Sequence, residues 1–120
     1  MAQMRLALAQ VNPTVGDLSG NALAVREWTT KAAEQGAHLV AFPEMMLTGY
    51  PVEDLALRRS FVDASRAALA TLAADLVADG HGDLPVVVGY LDRAPYSRSG
   101  SARPLPQNCA AVLHQGKVKA

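Results

Sequence analysis

One carboxylate in this chain stands where chemistry is commonly done. Glu44 follows the apolar run Ala37-His38-Leu39-Val40-Ala41-Phe42, with only Pro43 between, and Thr48-Gly49-Tyr50-Pro51 reads as a turn just beyond it. The run has the character of a buried strand, so Glu44 is expected at a strand end. There the sheet holds the backbone rigid and the following loop is open to ligand. A partly desolvated carboxylate in such a place holds its proton more tightly and becomes a usable general base. A helix cap or a surface ion pair is the alternative role for the same side chain. Cys109 lies inside Asn108-Cys109-Ala110-Ala111-Val112-Leu113, a strand-like run of small apolar residues. That setting predicts a buried, inert thiol, because a reactive cysteine needs electropositive and accessible surroundings. His38, His81 and His114 have neither metal-ligand spacing nor a cysteine pair beside them, so no metal site is expected.

The elements that must position Glu44 can be read around it. Met4 to Val11 predicts a first strand with Leu6, Leu8 and Val11 facing inward, ended by Asn12-Pro13. Asp17, Ser19 and Asn21 are competent caps for a helix whose buried face would be Leu18, Ala22, Val25, Trp28 and Ala32, with Gly36 as its terminator. The strand leading to Glu44 follows at once. Strand, helix and strand in this order predict a parallel βαβ unit. A helical stretch from Glu53 to Asp79 is expected to break near Ser60, where Ser60-Phe61-Val62-Asp63 resembles a capping box. Phe61, Ala64, Ala68, Leu72 and Leu76 would line its buried face. Pro85 to Tyr90 predicts a third strand, apolar on both faces and therefore covered by two layers. Residues 92–107, with Pro95, Pro104, Pro106, Ser97, Ser99, Gly100 and Ser101, read as a mobile loop. Asn108 to His114 is a fourth strand, Gln115-Gly116 a turn, and Lys117 onward the start of a fifth. An unfinished strand leaves backbone groups unpaired, so the expectation is that residues 1–120 are a partial domain.

Composition narrows the function classes. Eleven basic and eleven acidic residues cancel and are scattered, which disfavours a nucleic-acid or anionic-lipid face. Aromatic residues make up only 5%, too few for a base-stacking platform. The single cysteine and the lack of a long apolar span make a cytoplasmic setting the expectation, with neither membrane nor nucleic acid as partner. There is no Gly-rich phosphate loop, so no cofactor is expected to bind in this segment.

Three stretches resemble the nitrilase, or carbon–nitrogen hydrolase, superfamily. Ala9 to Asp17 is similar to its first strand and turn, Phe42-Pro43-Glu44 to its first catalytic motif, and Val88-Gly89-Tyr90 with Asn108 to Leu113 to its next strands. The longer run Phe42 to Leu55, with Gly49-Tyr50-Pro51 and Glu53-Asp54-Leu55, resembles more narrowly the glutaminase domains of bacterial glutamine-dependent NAD⁺ synthetases. The resemblance implies an α/β fold, the N-terminal portion of an αββα sandwich. It implies a Glu-Lys-Cys site hydrolysing glutamine, with Glu44 as proton acceptor. Tyr50 would either line the glutamine pocket or cap the turn structurally. Neither Lys117 nor Lys119 stands in the family's Lys-x-x-Leu-Pro motif, and Cys109 is not at the nucleophile's place, so a lysine and a cysteine outside this chain are implied. ATP and Mg²⁺ would belong to a separate synthetase domain, and the full-length parent would be a homo-oligomer. Another nitrilase-type amidase and a non-catalytic α/β binding module are the competing readings.

Overall fold

The computed structural model describes residues 2–94 and 105–120. Among these residues, five strands and two helices follow one another along the chain. They are β1 (Leu6–Leu8), α1 (Leu18–Glu34), β2 (Leu39–Ala41), a 3-10 turn (Glu53–Leu57), α2 (Arg59–Ala78), β3 (Val86–Arg93), β4 (Pro106–His114) and β5 (Lys117–Val118). They form one sheet in the order β1-β2-β3-β4-β5. β1, β2 and β3 run parallel, with Leu6 opposite Leu39 and Val40 opposite Val86, while β4 and β5 turn back antiparallel. Two crossovers of the same hand that advance in the same direction must put both helices on the same face of the sheet. The core shows this arrangement. Val25 and Ala32 of α1 join Leu69, Leu72, Ala73 and Leu76 of α2 over Val40, Val86, Val88, Ala111 and Leu113 of the sheet.

Alternation along the strands then separates two faces. Under the helices the side chains are buried, whereas Leu6 and Leu8 of β1 are 54% and 71% exposed. This corrects the expectation that Leu6 and Leu8 point inward: Ala7 and Ala9 pack on the core in their place, together with Val11, which was expected there. A three-residue strand carries too little pattern to reveal its phase when both faces are apolar. β3 likewise has a helix layer on one side only, with Val87 half-buried on the other.

Helix α1 begins where the sequence suggests, with the Asp17 side chain accepting from the Gly20 amide at 3.0 Å, and Gly36 follows its end. Its buried residues are Asn21, Val25, Thr29 and Ala32. Trp28, predicted inside, is 42% exposed and lies under the Lys31 ammonium, 4.2 Å from the ring centroid. The rest of the predicted stripe, Leu18, Ala22, Val25 and Ala32, does pack on the core, and only at the Trp28 position does its neighbour Thr29 take the buried place. In α2 the break falls at Arg58, which is extended, so Ser60 sits inside the helix and is not its cap. Val62, Ser65, Leu69, Leu72, Ala73 and Leu76 are buried, while Ala64 is exposed. Asp92 pairs with Gln107 and Arg93 with Pro106, so β3 and β4 extend into the segment predicted as loop. Residues 95–104 of that loop lie outside the described residues. Arg26 grips Asp79 through two hydrogen bonds of 2.8 and 2.7 Å and ties the middle of α1 to the end of α2. Among the described residues, no helix is long and apolar enough to cross a membrane.

Candidate active site

Strand β2 delivers the chain to Glu44. Its last ladder bond runs from the Phe42 amide to the Val87 carbonyl at 2.9 Å, and Glu44 opens the turn that follows. The turn is fastened to the protein at several points. The Leu47 amide donates to the Gly89 carbonyl at 3.1 Å, the Gly49 amide to the Met45 carbonyl at 2.8 Å, and the Gly16 amide to the Thr48 carbonyl at 2.8 Å. Met45, Met46 and Leu47 are buried to 4%, 0% and 0% exposure. Burying each such side chain contributes about 1.5–3 kcal/mol, so the turn is held down by its own apolar residues. Asn21, 3% exposed in α1, fastens it from the other side. Its side chain accepts from the Thr14 amide at 2.9 Å and donates to the Thr14 and Leu47 carbonyls at 2.8 and 3.0 Å. Asn21 therefore clamps two loops and does not cap the helix.

Two glycines make this proximity possible. A Cβ on Gly89 would stand 2.5 Å from the Met45 amide nitrogen, 2.8 Å from the Pro43 carbonyl oxygen and 2.9 Å from the Glu44 carbonyl carbon. The turn that carries Glu44 rests directly on the backbone of β3, where any side chain would lift it. Gly49, at φ +76°, has the Val15 Cα only 2.6 Å from where its Cβ would be.

Glu44 itself is exposed, and its Oε1 accepts a hydrogen bond from Asn108 Nδ2 on β4. Both line a cavity of about 350 Å³, together with Phe42, Pro43, Val87, Gly89, Cys109 and Ala110. The strand end alone thus leaves the carboxylate in contact with water, and the desolvation expected from the sequence is not supplied by these residues. Among the described residues no cation pairs with Glu44. Tyr50, joined to Pro51 by a cis peptide bond, is 71% exposed and is not among the described residues that line this cavity beside Glu44.

Cys109 borders the cavity but presents its side chain elsewhere. Asn108 and Cys109 are consecutive on β4 and so point to opposite faces. Cys109 is the cross-strand partner of Tyr90, whose hydroxyl donates to Asp92 at 3.0 Å. Burial, followed by the charge of Asp92, raises the Cys109 thiol above its usual pKa. Burial and the bond to Asp92 likewise push the Tyr90 phenol up to about 12. A thiol disfavoured as thiolate, and turned from the Glu44 face, is a poor nucleophile. His38 and His81 serve the fold: His38 Nδ1 accepts from the Arg5 amide at 2.8 Å, and His81 Nε2 meets the Thr30 hydroxyl at 2.9 Å. Among the described residues no three His, Cys, Asp or Glu side chains gather as a metal cluster.

The sequence had not singled out Gly89, Asn108 or Asn21 as residues that hold the site. A glycine inside the β-branched run Val86-Val87-Val88 was a usable signal for close backbone approach. Asn108 lies 64 positions from Glu44, and nothing local to it announces the contact.

Comparison with known proteins agrees with this geometry. The carbon-nitrogen hydrolase family matches residues 5–117. The glutamine-dependent NAD(+) synthetase of Thermotoga maritima is 36% identical over 118 residues, covering 98% of this chain and 18% of that protein. The structure of the glutamine-dependent NAD+ synthetase from Acinetobacter baumannii superimposes with a TM-score of 0.74 at 30% identity, covering 100% of this chain and 20% of its own. An amidase from Nesterenkonia sp. AN1, in a mutant showing covalent addition of the acetamide moiety of fluoroacetamide at its active-site cysteine, gives a TM-score of 0.66 at 25% identity, covering 98% of this chain and 41% of its own. This chain thus spans about a fifth of the synthetases it resembles. A catalytic-type turn seated on a parallel strand end, and a family match over almost the whole length, lead to one conclusion: the chain belongs to the carbon-nitrogen hydrolase family.

Proposed function

We propose that this chain is the N-terminal part of a glutaminase domain within a longer glutamine-dependent NAD⁺ synthetase, and that Glu44 is its proton acceptor. Glu44 takes the proton of a cysteine thiol. The thiolate adds to the side-chain carbonyl carbon of glutamine, ammonia departs, and water hydrolyses the thioester to glutamate. An amide is a weak electrophile, so a thiolate with an adjacent base divides one hard step into two easier ones. The lysine that stabilises the tetrahedral oxyanion and the nucleophilic cysteine belong to sequence outside these 120 residues, since Cys109 is turned away and its thiol is held protonated. The released ammonia amidates deamido-NAD⁺ in a separate domain that carries ATP and Mg²⁺. Tyr50 reaches glutamine once the second layer of the sandwich closes over the exposed face of the sheet. The same layer supplies the desolvation that Glu44 lacks here. A homo-oligomeric, cytoplasmic enzyme belongs to this reading.

The observation that carries it is the seat of Glu44. It is the first residue of a turn pinned to a parallel strand end, and its carboxylate opens onto a cavity with a neutral amide as partner. The likeness to the Nesterenkonia amidase supports a second reading, an amidase without a synthetase partner. Ammonia release by the full-length protein separates the two. The first reading predicts glutamine turnover that greatly exceeds that of simple aliphatic amides and sustains ATP-dependent amidation. Faster turnover of simple amides, with no use of glutamine, would refute it.

A further inference from the structure

We infer that Asn108 is the positioning residue of the base: its amide fixes the Glu44 carboxylate in the orientation from which the proton is taken. This rests on the assignment of Glu44 as proton acceptor. A carboxylate on a turn can swing about its side-chain torsions, and a proton transfer needs it held within hydrogen-bond reach of the thiol. Asn108 Nδ2 donates to Glu44 Oε1 from β4, a strand tied to β3 by an eight-residue register from Val86–Leu113 to Arg93–Pro106. The turn that bears Glu44 rests on Gly89 of that same β3. Base and holder are therefore mounted on adjacent, rigidly paired strands. With Oε1 engaged, Oε2 is left to accept the proton.

The chemistry of the partner matters as much as its place. A lysine or arginine at this position would orient the carboxylate equally well. It would also stabilise the charged form by one to three pKa units and blunt the base. A neutral amide donates without a net charge, so it sets direction and leaves the carboxylate able to accept a proton. Both side chains are exposed in this chain, and their contact contributes little to folding. A conserved fold with a lost rate is thus the signature of this role.

The test uses the full-length enzyme with glutamine as substrate. Asn108→Leu keeps a similar shape and removes the donor, and kcat is expected to fall about 10- to 100-fold, in line with a displacement of about 1 Å at a reacting group. KM stays within about twofold and Tm within about 2 °C. Asn108→Asp, which removes the donor and adds a like charge beside Glu44, falls further. Glu44→Asp shortens the carboxylate out of reach of Asn108, so adding Asn108→Leu to it costs at most about twofold more. Unchanged kcat in Asn108→Leu, a loss confined to KM, a Tm drop of many degrees, or full multiplicative losses in the double variant would each overturn the positioning role while leaving Glu44 as base. Full activity in Glu44→Gln would overturn both assignments.

Discussion

Replacing Gly89 with alanine is expected to damage the site far more than the loss of one hydrogen atom suggests. The new methyl would meet the Met45 nitrogen at 2.5 Å, the Pro43 oxygen at 2.8 Å and the Glu44 carbonyl carbon at 2.9 Å. Ordinary contacts of this kind begin at about 3.4–4 Å, so the turn must rise by roughly 0.5–1 Å. The atoms met are all backbone, and none can rotate away. The Leu47–Gly89 hydrogen bond of 3.1 Å and the burial of Met45 and Met46 resist the movement. Overpacking of this type costs about 1–3 kcal/mol of stability. A displacement of about 1 Å at a reacting group costs about 100-fold in rate, or about 2.7 kcal/mol of transition-state stabilisation. Gly82→Ala serves as the control, because its Cβ would come nearest the Val77 side chain, at 3.3 Å, and the Val77 backbone only at an ordinary 3.9 Å. Urea denaturation and initial rates of ammonia release from glutamine, both on the full-length enzyme, read the two effects. Gly89→Ala with the stability and kcat of the Gly82→Ala control would refute the seating of the Glu44 turn on β3.

Other perturbations test separate parts of the account. Asn21→Ala removes the donor to the Leu47 carbonyl and frees the Thr14 loop; a loss of about 2–4 kcal/mol is expected in urea denaturation, since one buried and two partly buried hydrogen bonds go together. Asp79 is held below its ordinary pKa of 3.8 by its bond to Arg26, so the folded state binds this proton less tightly than the unfolded chain. The stability it contributes is fully present above about pH 4 and fades as pH falls through the lower folded value. Thermal melts should therefore show Asp79→Asn destabilised at pH 7, with the difference from wild type shrinking below about pH 4. Cys109, half-buried with a raised pKa, is expected to react with a thiol reagent at neutral pH at least tenfold more slowly in the native protein than after denaturation.

Legibility followed the length of the pattern. The βαβ order, the Gly36 stop and the strand from Asn108 to His114 were readable because periodicity, terminators and crossover logic agreed over many residues. Leu6 and Leu8 were misassigned because β1 is three residues long, and a strand apolar on both sides does not declare its inner face. Trp28 was placed inside by its spacing in the apolar stripe, although at that turn of the helix the smaller Thr29 is the residue buried. Ser60 looked like a cap, but the chain already becomes helical at Arg59 with no side-chain cap. The place of Glu44 at a strand end was legible at once, from the apolar run before it. The partners that hold it were not, because Asn108 and Gly89 act through contacts between strands distant in sequence.

Everything functional here turns on Glu44 as the base, and the most direct measurement is the rate of ammonia release from glutamine by the full-length enzyme carrying Glu44→Gln. The amide keeps the size and the place of the carboxylate but cannot take a proton. The account predicts a fall in kcat of about 100- to 10,000-fold, with the melting temperature unchanged within about 2 °C. A variant that releases ammonia at the wild-type rate would contradict it.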